Sequence, residues 1–298
     1  MFDISPQLDC AGRIVKLDRP RIMGIVNVTP DSFSDGGANF DVDAAIAHGL
    51  QLAGEGADIL DIGGESTRPG ADDVTLDEEL RRVLPVIEQL AKETSLPISI
   101  DTSKAEVMRA AVGVGAGMIN DVYALRRDGA LDAAAELRVP VVLMHMLGEP
   151  RSMQDAPDYD DVVGDVHRFL AERIFAAEMA GIDKKRILID PGFGFGKTTQ
   201  HNLQLLAQLQ RFTELGVPVL AGLSRKRSIR ELTGQDDMRS RVHGSVAAHL
   251  IAAQRGAMLL RVHDVAATVD ALKVWNAVAA VPMPRVDAKP AIQWPADD

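Results

Sequence analysis

Asp101, Asn120 and Asp190 are side chains of the types that grip a polar heterocycle. Each ends a short apolar run: Ile98–Ile100, Met118–Ile119 and Ile187–Ile189. A ring with a 2-amino group beside a ring N–H offers two donors side by side. A carboxylate accepts both, and an amide such as Asn120 donates or accepts at the ring edge. Buried acids must meet donors, because burying them unpaired is costly. Helix capping is the plainer alternative, since Asp101-Thr102-Ser103 has the composition of an N-cap.

Cations follow two later runs. Ser224-Arg225-Lys226 comes after Val219–Leu223, and Arg261-Val262-His263 after Met258–Leu260. Arginine holds a phosphate with paired donors and lysine acts as a point charge, with surface solvation as the alternative. Asn27 closes Ile22–Val26, where a neutral oxygen suits Mg²⁺. The histidines form no H-x-x-H or H-E-x-x-H pair, which argues against tight zinc binding. Pro191–Thr198 looks like a phosphate loop but has Pro191 where that pattern needs glycine. Its aromatics, Phe195 among them, read as walls for a flat ring; a structural glycine turn is the alternative. His145, between two methionines, reads equally as a ligand or as a packed histidine.

The elements that must position these groups are strand–helix units. Eight apolar runs recur, adding Ile59–Leu60 before Asp61 and Val141–Met144 before His145, with helix-like segments between them. This pattern predicts an α/β fold, a (β/α)8 TIM barrel with its site at the carboxyl ends of the strands. Helices are expected over about 43–55, 76–93, 105–114, 130–137, 160–180, 202–215, 238–254 and 264–280. Residues 1–20 read as a short N-terminal hairpin or arm and 21–280 as the barrel. Residues 281–298, with four prolines, read as an extended tail. Two connections are long for their kind, since such loops usually run about 2–6 residues. One is 27–40, carrying Asp31, Phe33, Asp35 and paired glycines. The other is 63–74, carrying Ser66, Thr67, Arg68 and Pro69.

A chain of 298 residues fits one such domain, for which about 250 is usual. A single cysteine excludes an intrachain disulfide and a cysteine metal cage. No apolar run approaches the roughly 20 residues of a membrane span, and the N-terminus lacks the order of a signal peptide, so the cytoplasm is expected. A net charge of −11 argues against nonspecific nucleic-acid binding but not against an anionic small substrate. Helices rich in Ala and Val over 242–253 and 265–281 have more apolar face than an outer barrel helix needs, and predict a homodimer.

Taken in order, the motifs resemble the dihydropteroate synthase family of the bacterial folate pathway. The resemblance is carried by Gly24–Gly37, Asp61–Gly70, Ile100-Asp101-Thr102, Ile119-Asn120-Asp121, Asp190–Lys197, Ser224-Arg225-Lys226 and Arg261–Asp264, and covers roughly residues 20–280. It implies a pterin-binding barrel that joins 4-aminobenzoate to 7,8-dihydropterin-6-ylmethyl diphosphate and releases diphosphate. It implies Asn27 on Mg²⁺, and Thr67, Asp101, Asn120, Asp190, Lys226, Arg261 and His263 on the pterin diphosphate. Asp31, Phe33, Asp35, Arg68, Ser224 and Arg225 are expected around the aminobenzoate and the mobile loops. Asp101, Lys226 and Arg261 are expected to carry the chemistry. Leu147–Pro150, where a more polar turn is expected, and the tail depart from the pattern. Two other readings stand beside this one: a methyltetrahydrofolate–corrinoid methyltransferase, and a pterin-binding homologue without turnover. The first would not need the Asp31–Asp35 loop or the cations of 224–226.

Overall fold

Residues 6–29, 38–66, 73–148 and 157–281 are described by the structure, a computed structural model. The chain opens with an antiparallel hairpin of β1 (Gln7–Cys10) and β2 (Arg13–Lys16). Its two-residue turn, Ala11-Gly12, has positive φ at both positions (53° and 87°), as tight hairpins require.

Eight parallel strands then close a barrel. They are β3 (Arg21–Asn27), β4 (Ile59–Gly63), β5 (Ile98–Asp101), β6 (Met118–Asp121), β7 (Val141–Met144), β8 (Ile187–Asp190), β9 (Val219–Ala221) and β10 (Ala257–Val262). Single helices follow β3 to β7: α1 (Ala38–Glu55), α2 (Leu76–Glu93), α3 (Ala105–Gly113), α4 (Ala130–Leu137) and α5 (Val162–Met179). After β8 come α6 (Thr199–Ala207) and α7 (Gln210–Thr213), and after β9 come α8 (Arg227–Thr233) and α9 (Val242–Gln254). α10 (Val265–Ala279) follows β10. The helices pack on the outside of the strands to make the main apolar core.

Side chains alternate in and out along a strand, and that period of two builds the site. The hairpin's Leu8, Cys10, Val15 and Leu17 plug the amino end of the barrel against Met23, Ile59, Met118, Val142, Leu188, Leu220 and Leu259, one from each of seven strands. The eighth strand, β5, supplies Ser99, which stands beside Asp61 in register. Two residues further on, each of these positions becomes Ile25, Asp61, Asp101, Asn120, Met144, Asp190, Gly222 or Arg261. A greasy plug thus carries a polar layer directly above it. Gly117 shows how closely the hairpin fits, because a Cβ there would lie 2.4 Å from the Cys10 carbonyl oxygen.

Three helix expectations shift and one helix is new. α1 begins at Ala38 rather than Asp43, because nothing after Gly37 breaks a helix. The helix expected over 202–215 starts earlier and splits. Thr198 and His201 form a reciprocal capping box that opens α6. α9 starts at Val242, behind a 3-10 turn over Arg239–Arg241. α8 was not expected, since seven residues are too few to display two helical periods.

Candidate active site

A cavity of about 790 Å³ opens at the carboxyl ends of the strands. It brings together Asn27, Asp101, Asn120, Asp190, Phe195, Ser224, Arg225, Lys226, Arg261 and His263. Every expected site residue within the described segments is therefore on its wall. Asp31, Phe33, Asp35, Thr67 and Arg68 lie outside the described residues.

Arg261 organises the floor. Its Nε donates to Asp61 Oδ2 at 2.6 Å and its terminal nitrogen to Asp101 Oδ2 at 2.6 Å. Asp101 therefore does not cap a helix: α3 has Lys104 at its N-cap position, with no side-chain cap bond. Burial pushes the Asp101 carboxyl up to about 7; Arg261 opposes the rise and Asp61 adds to it. Burial would lower the Arg261 guanidinium, but Asp61 and Asp101 outweigh it and hold it above its ordinary value. Asp61 is fully buried, and its Oδ1 has no hydrogen-bond partner among the described residues. Its Oδ2 also accepts from Asn120 Nδ2 at 3.1 Å. That bond uses the amide's donor end and turns its carbonyl oxygen away as an acceptor. The sequence places Asp61 at a strand end without marking this pairing.

Asp190 faces this pair from β8. Its Oδ1 accepts from the Gly192 N–H at 2.7 Å. Burial pushes the carboxyl up, against that N–H and the Lys226 charge. The Lys226 ammonium lies 4.2 Å from the centre of the Phe195 ring, a cation–π contact that sets a flat face beside Asp190. Phe193 does not join this wall but is buried in the outer core. The glycines between them serve packing rather than phosphate. At Gly194 (φ +79°) a Cβ would press on the Lys226 stem at 3.1 Å, and at Gly192 (φ +71°) it would collide with the His145 carbonyl.

Lys197, which the sequence left without a role, ties this loop down. Its buried ammonium reaches His145 Nδ1 and the carbonyls of Gly192 and Phe195, all at 2.9 Å. Burial lowers it to about 7, with Asp190 opposing. His145 is the packed histidine of its two alternatives: buried, edge-on to Phe169 at 4.8 Å, and driven down to about 2 by burial and then by Lys197.

At the mouth, Ser224 Oγ accepts from the His263 backbone N–H at 3.1 Å and lies 2.9 Å from its Nδ1. Arg225 lines the mouth with its guanidinium held from behind. Its fork is on Asp264, at 3.0 and 2.6 Å. Lys104, after β5, joins Glu65 of the second loop's base (2.5 Å) to the buried Glu79 of α2 (2.6 Å). Among the described residues no group of three or more His, Cys, Asp or Glu could enclose a metal ion. Among the same residues no helix is long and apolar enough to cross a membrane.

The pterin-binding enzyme family model matches residues 23–263. The dihydropteroate synthase of Escherichia coli is 49% identical over 271 residues, 91% of this chain and 96% of that protein. A solved structure of the Xanthomonas albilineans dihydropteroate synthase with 4-aminobenzoic acid is 75% identical, with a TM-score of 0.90, covering 93% of this chain and 100% of that one. The same organism's enzyme in complex with 7,8-dihydropteroate matches at 71% identity and a TM-score of 0.86, with the same coverage. With its polar layer, its cation-lined mouth and these matches over nearly its whole length, the chain belongs to the dihydropteroate synthases of the pterin-binding enzyme family.

Proposed function

We propose that this chain condenses 7,8-dihydropterin-6-ylmethyl diphosphate with 4-aminobenzoate, giving 7,8-dihydropteroate and diphosphate, in the cytoplasmic synthesis of folate. The observation that carries this is the convergence of Asp190, Lys226, Phe195 and Asn120 with the Arg261–Asp101 pair in one cavity. Asp190 accepts the pterin's paired donors, Asn120 offers its carbonyl to the ring edge, and Lys226 donates to the ring oxygen from its place over Phe195. Arg261 and His263 face the diphosphate.

The reaction breaks the C–O bond of the pterin methylene and forms a C–N bond to the aminobenzoate. The electron pair of the broken bond leaves with the diphosphate, and the amine proton passes to solvent. The aniline nitrogen is neutral near pH 7, so no strong base is required. Departure leaves positive charge on the methylene, spread into the ring, and the Asp101 carboxylate stabilises it. Ser224, Arg225 and Lys226 line the end of the mouth where we place the aminobenzoate carboxylate.

The donor set fits Mg²⁺ that arrives with its substrate. Asn27 offers one neutral oxygen beside the cations, and Mg²⁺ commonly keeps waters and phosphate oxygens as its remaining ligands. Bound there, the ion supplies charge neutralisation to the leaving diphosphate.

The chain is further proposed to form a homodimer through α9 and α10, which leave Ile251, Val274 and Val278 exposed. A monomer mass independent of concentration in sedimentation overturns the dimer. For the activity, the purified chain is mixed with both substrates and Mg²⁺ and the product is identified by mass. Dihydropteroate is expected, and its absence overturns the reading.

A further inference from the structure

The strand ladder of β9 ends at Ala221, yet the backbone just beyond it must present Ser224 and Lys226 to the cavity. Backbone groups past a ladder need other partners when buried. Here they come from α9. Leu223 N–H donates to His249 Nε2 at 3.2 Å, and Arg225 N–H donates to Ser245 Oγ at 2.9 Å. The Arg225 carbonyl accepts from the Arg241 guanidinium at 3.0 Å. Positions 241, 245 and 249 are four apart, so Arg241 at the N-cap of α9 and Ser245 and His249 within it form one stripe down one face. All three side chains are buried.

Each member is set for its task. Ser245 Oγ donates its own proton to the Arg241 carbonyl at 2.8 Å, which leaves its lone pairs to accept from Arg225. His249 Nδ1 lies 2.8 Å from the Ser245 carbonyl, so the proton sits there and Nε2 is the acceptor. Burial holds that imidazole down to about 4, and it stays neutral at ordinary pH. The Arg241 guanidinium also donates to the Gln235 carbonyl at 2.9 Å and to that of Asp236, tying the loop behind α8 to the same turn. Arg225 needs such a hold: its φ of +55° is one that residues other than glycine keep only where their surroundings impose it.

We infer that Arg241, Ser245 and His249 are positioning residues for the condensation: a polar stripe on α9 that fixes the backbone of 223–225 and so aims Ser224 and Lys226 at the reacting substrates. None of the three lines the cavity. The inference rests on the reading of the chain as a dihydropteroate synthase.

The test compares Ser245→Ala, His249→Leu and His249→Gln with wild type. Steady-state kinetics are read well below each melting temperature, and amide hydrogen exchange is followed over residues 222–226. Ser245→Ala and His249→Leu are expected to lose about tenfold or more in kcat, since small misplacements of catalytic groups are costly. Exchange over 222–226 should speed up in both. His249→Gln, whose amide oxygen can stand where Nε2 does, should recover most of kcat. A lowered melting temperature with wild-type kcat overturns the inference, as does a His249→Gln enzyme no better than His249→Leu. If His249→Leu does not fold, Ser245→Ala decides alone. Wild-type enzyme without dihydropteroate formation overturns the functional reading instead. In that case unchanged exchange in Ser245→Ala overturns the hold on the turn, and faster exchange supports it.

Discussion

Arg261 and Asp61 meet at 2.6 Å inside the barrel although 200 residues separate them in sequence. Asp61 is not among the residues lining the cavity, yet it fixes both the guanidinium proposed to face the diphosphate and the amide of Asn120. Asp61→Asn removes one partner of a buried ion pair while keeping its shape. It is expected to destabilise the fold by about 3 kcal/mol, within the range for such pairs. It should also lower kcat, because Arg261 loses one of its two anchors. Urea unfolding and steady-state kinetics check this; wild-type values in both contradict it.

Asp101 links stability and rate to pH. Its folded carboxyl is raised from an ordinary 3.8 to about 7, by burial first, with Asp61, Asp121 and Glu79 adding to the rise against Arg261. Between those values the folded chain holds a proton that the unfolded chain has released. This group's contribution to stability is therefore present below 3.8 and lost as pH rises through about 7. Rate should run the other way, since the ionised form is the one proposed to stabilise the methylene cation. The kcat profile should rise through about 7 in wild type, and Asp101→Asn should be slow and without that limb. A variant with the same limb contradicts the assignment.

The strand-end residues were legible because a period of two in a closed barrel sends alternate positions inward. Short apolar runs with polar ends therefore announce both the strands and the floor of the site. What sequence could not display were the pairings. Nothing local separates Asp101, which meets Arg261, from a helix cap, or tells that Asp61 serves a cation rather than a ligand. Nor could sequence show that Arg225 is also paired with Asp264, 39 residues away. His249 and Ser245 sat within an alanine-rich stretch whose apolar composition hid a polar stripe.

Lys226 and Arg225 are proposed to divide the work at the mouth. Lys226→Met keeps an unbranched stem and removes the ammonium that lies over Phe195. Weaker pterin binding is expected, by at least about 1 kcal/mol for a lost charged hydrogen bond, with a large fall in turnover and the fold intact. Arg225→Ala should raise the KM for 4-aminobenzoate and leave pterin affinity near wild type. Calorimetry with a pterin lacking diphosphate separates the two. If Arg225→Ala weakens pterin binding as far as Lys226→Met does, the division is wrong.

Metal removal should stop turnover without emptying the pterin pocket. In excess EDTA, condensation is expected to fall and to return with added Mg²⁺. Binding of a pterin without diphosphate, read by calorimetry, should not change. Full activity in EDTA contradicts a metal-assisted departure.

This cavity is proposed to couple departure of diphosphate from a pterin methylene to attack by 4-aminobenzoate. Diphosphate release from the pterin diphosphate, measured with and without 4-aminobenzoate in wild type and in Asp190→Asn, tests it most directly. Wild type should release one diphosphate for each dihydropteroate formed and respond strongly to 4-aminobenzoate. Asp190→Asn should lose pterin affinity by at least about 2 kcal/mol, as for a buried polar group facing the wrong partner. No release by wild type, release indifferent to 4-aminobenzoate, or an Asp190→Asn enzyme indistinguishable from wild type would contradict it.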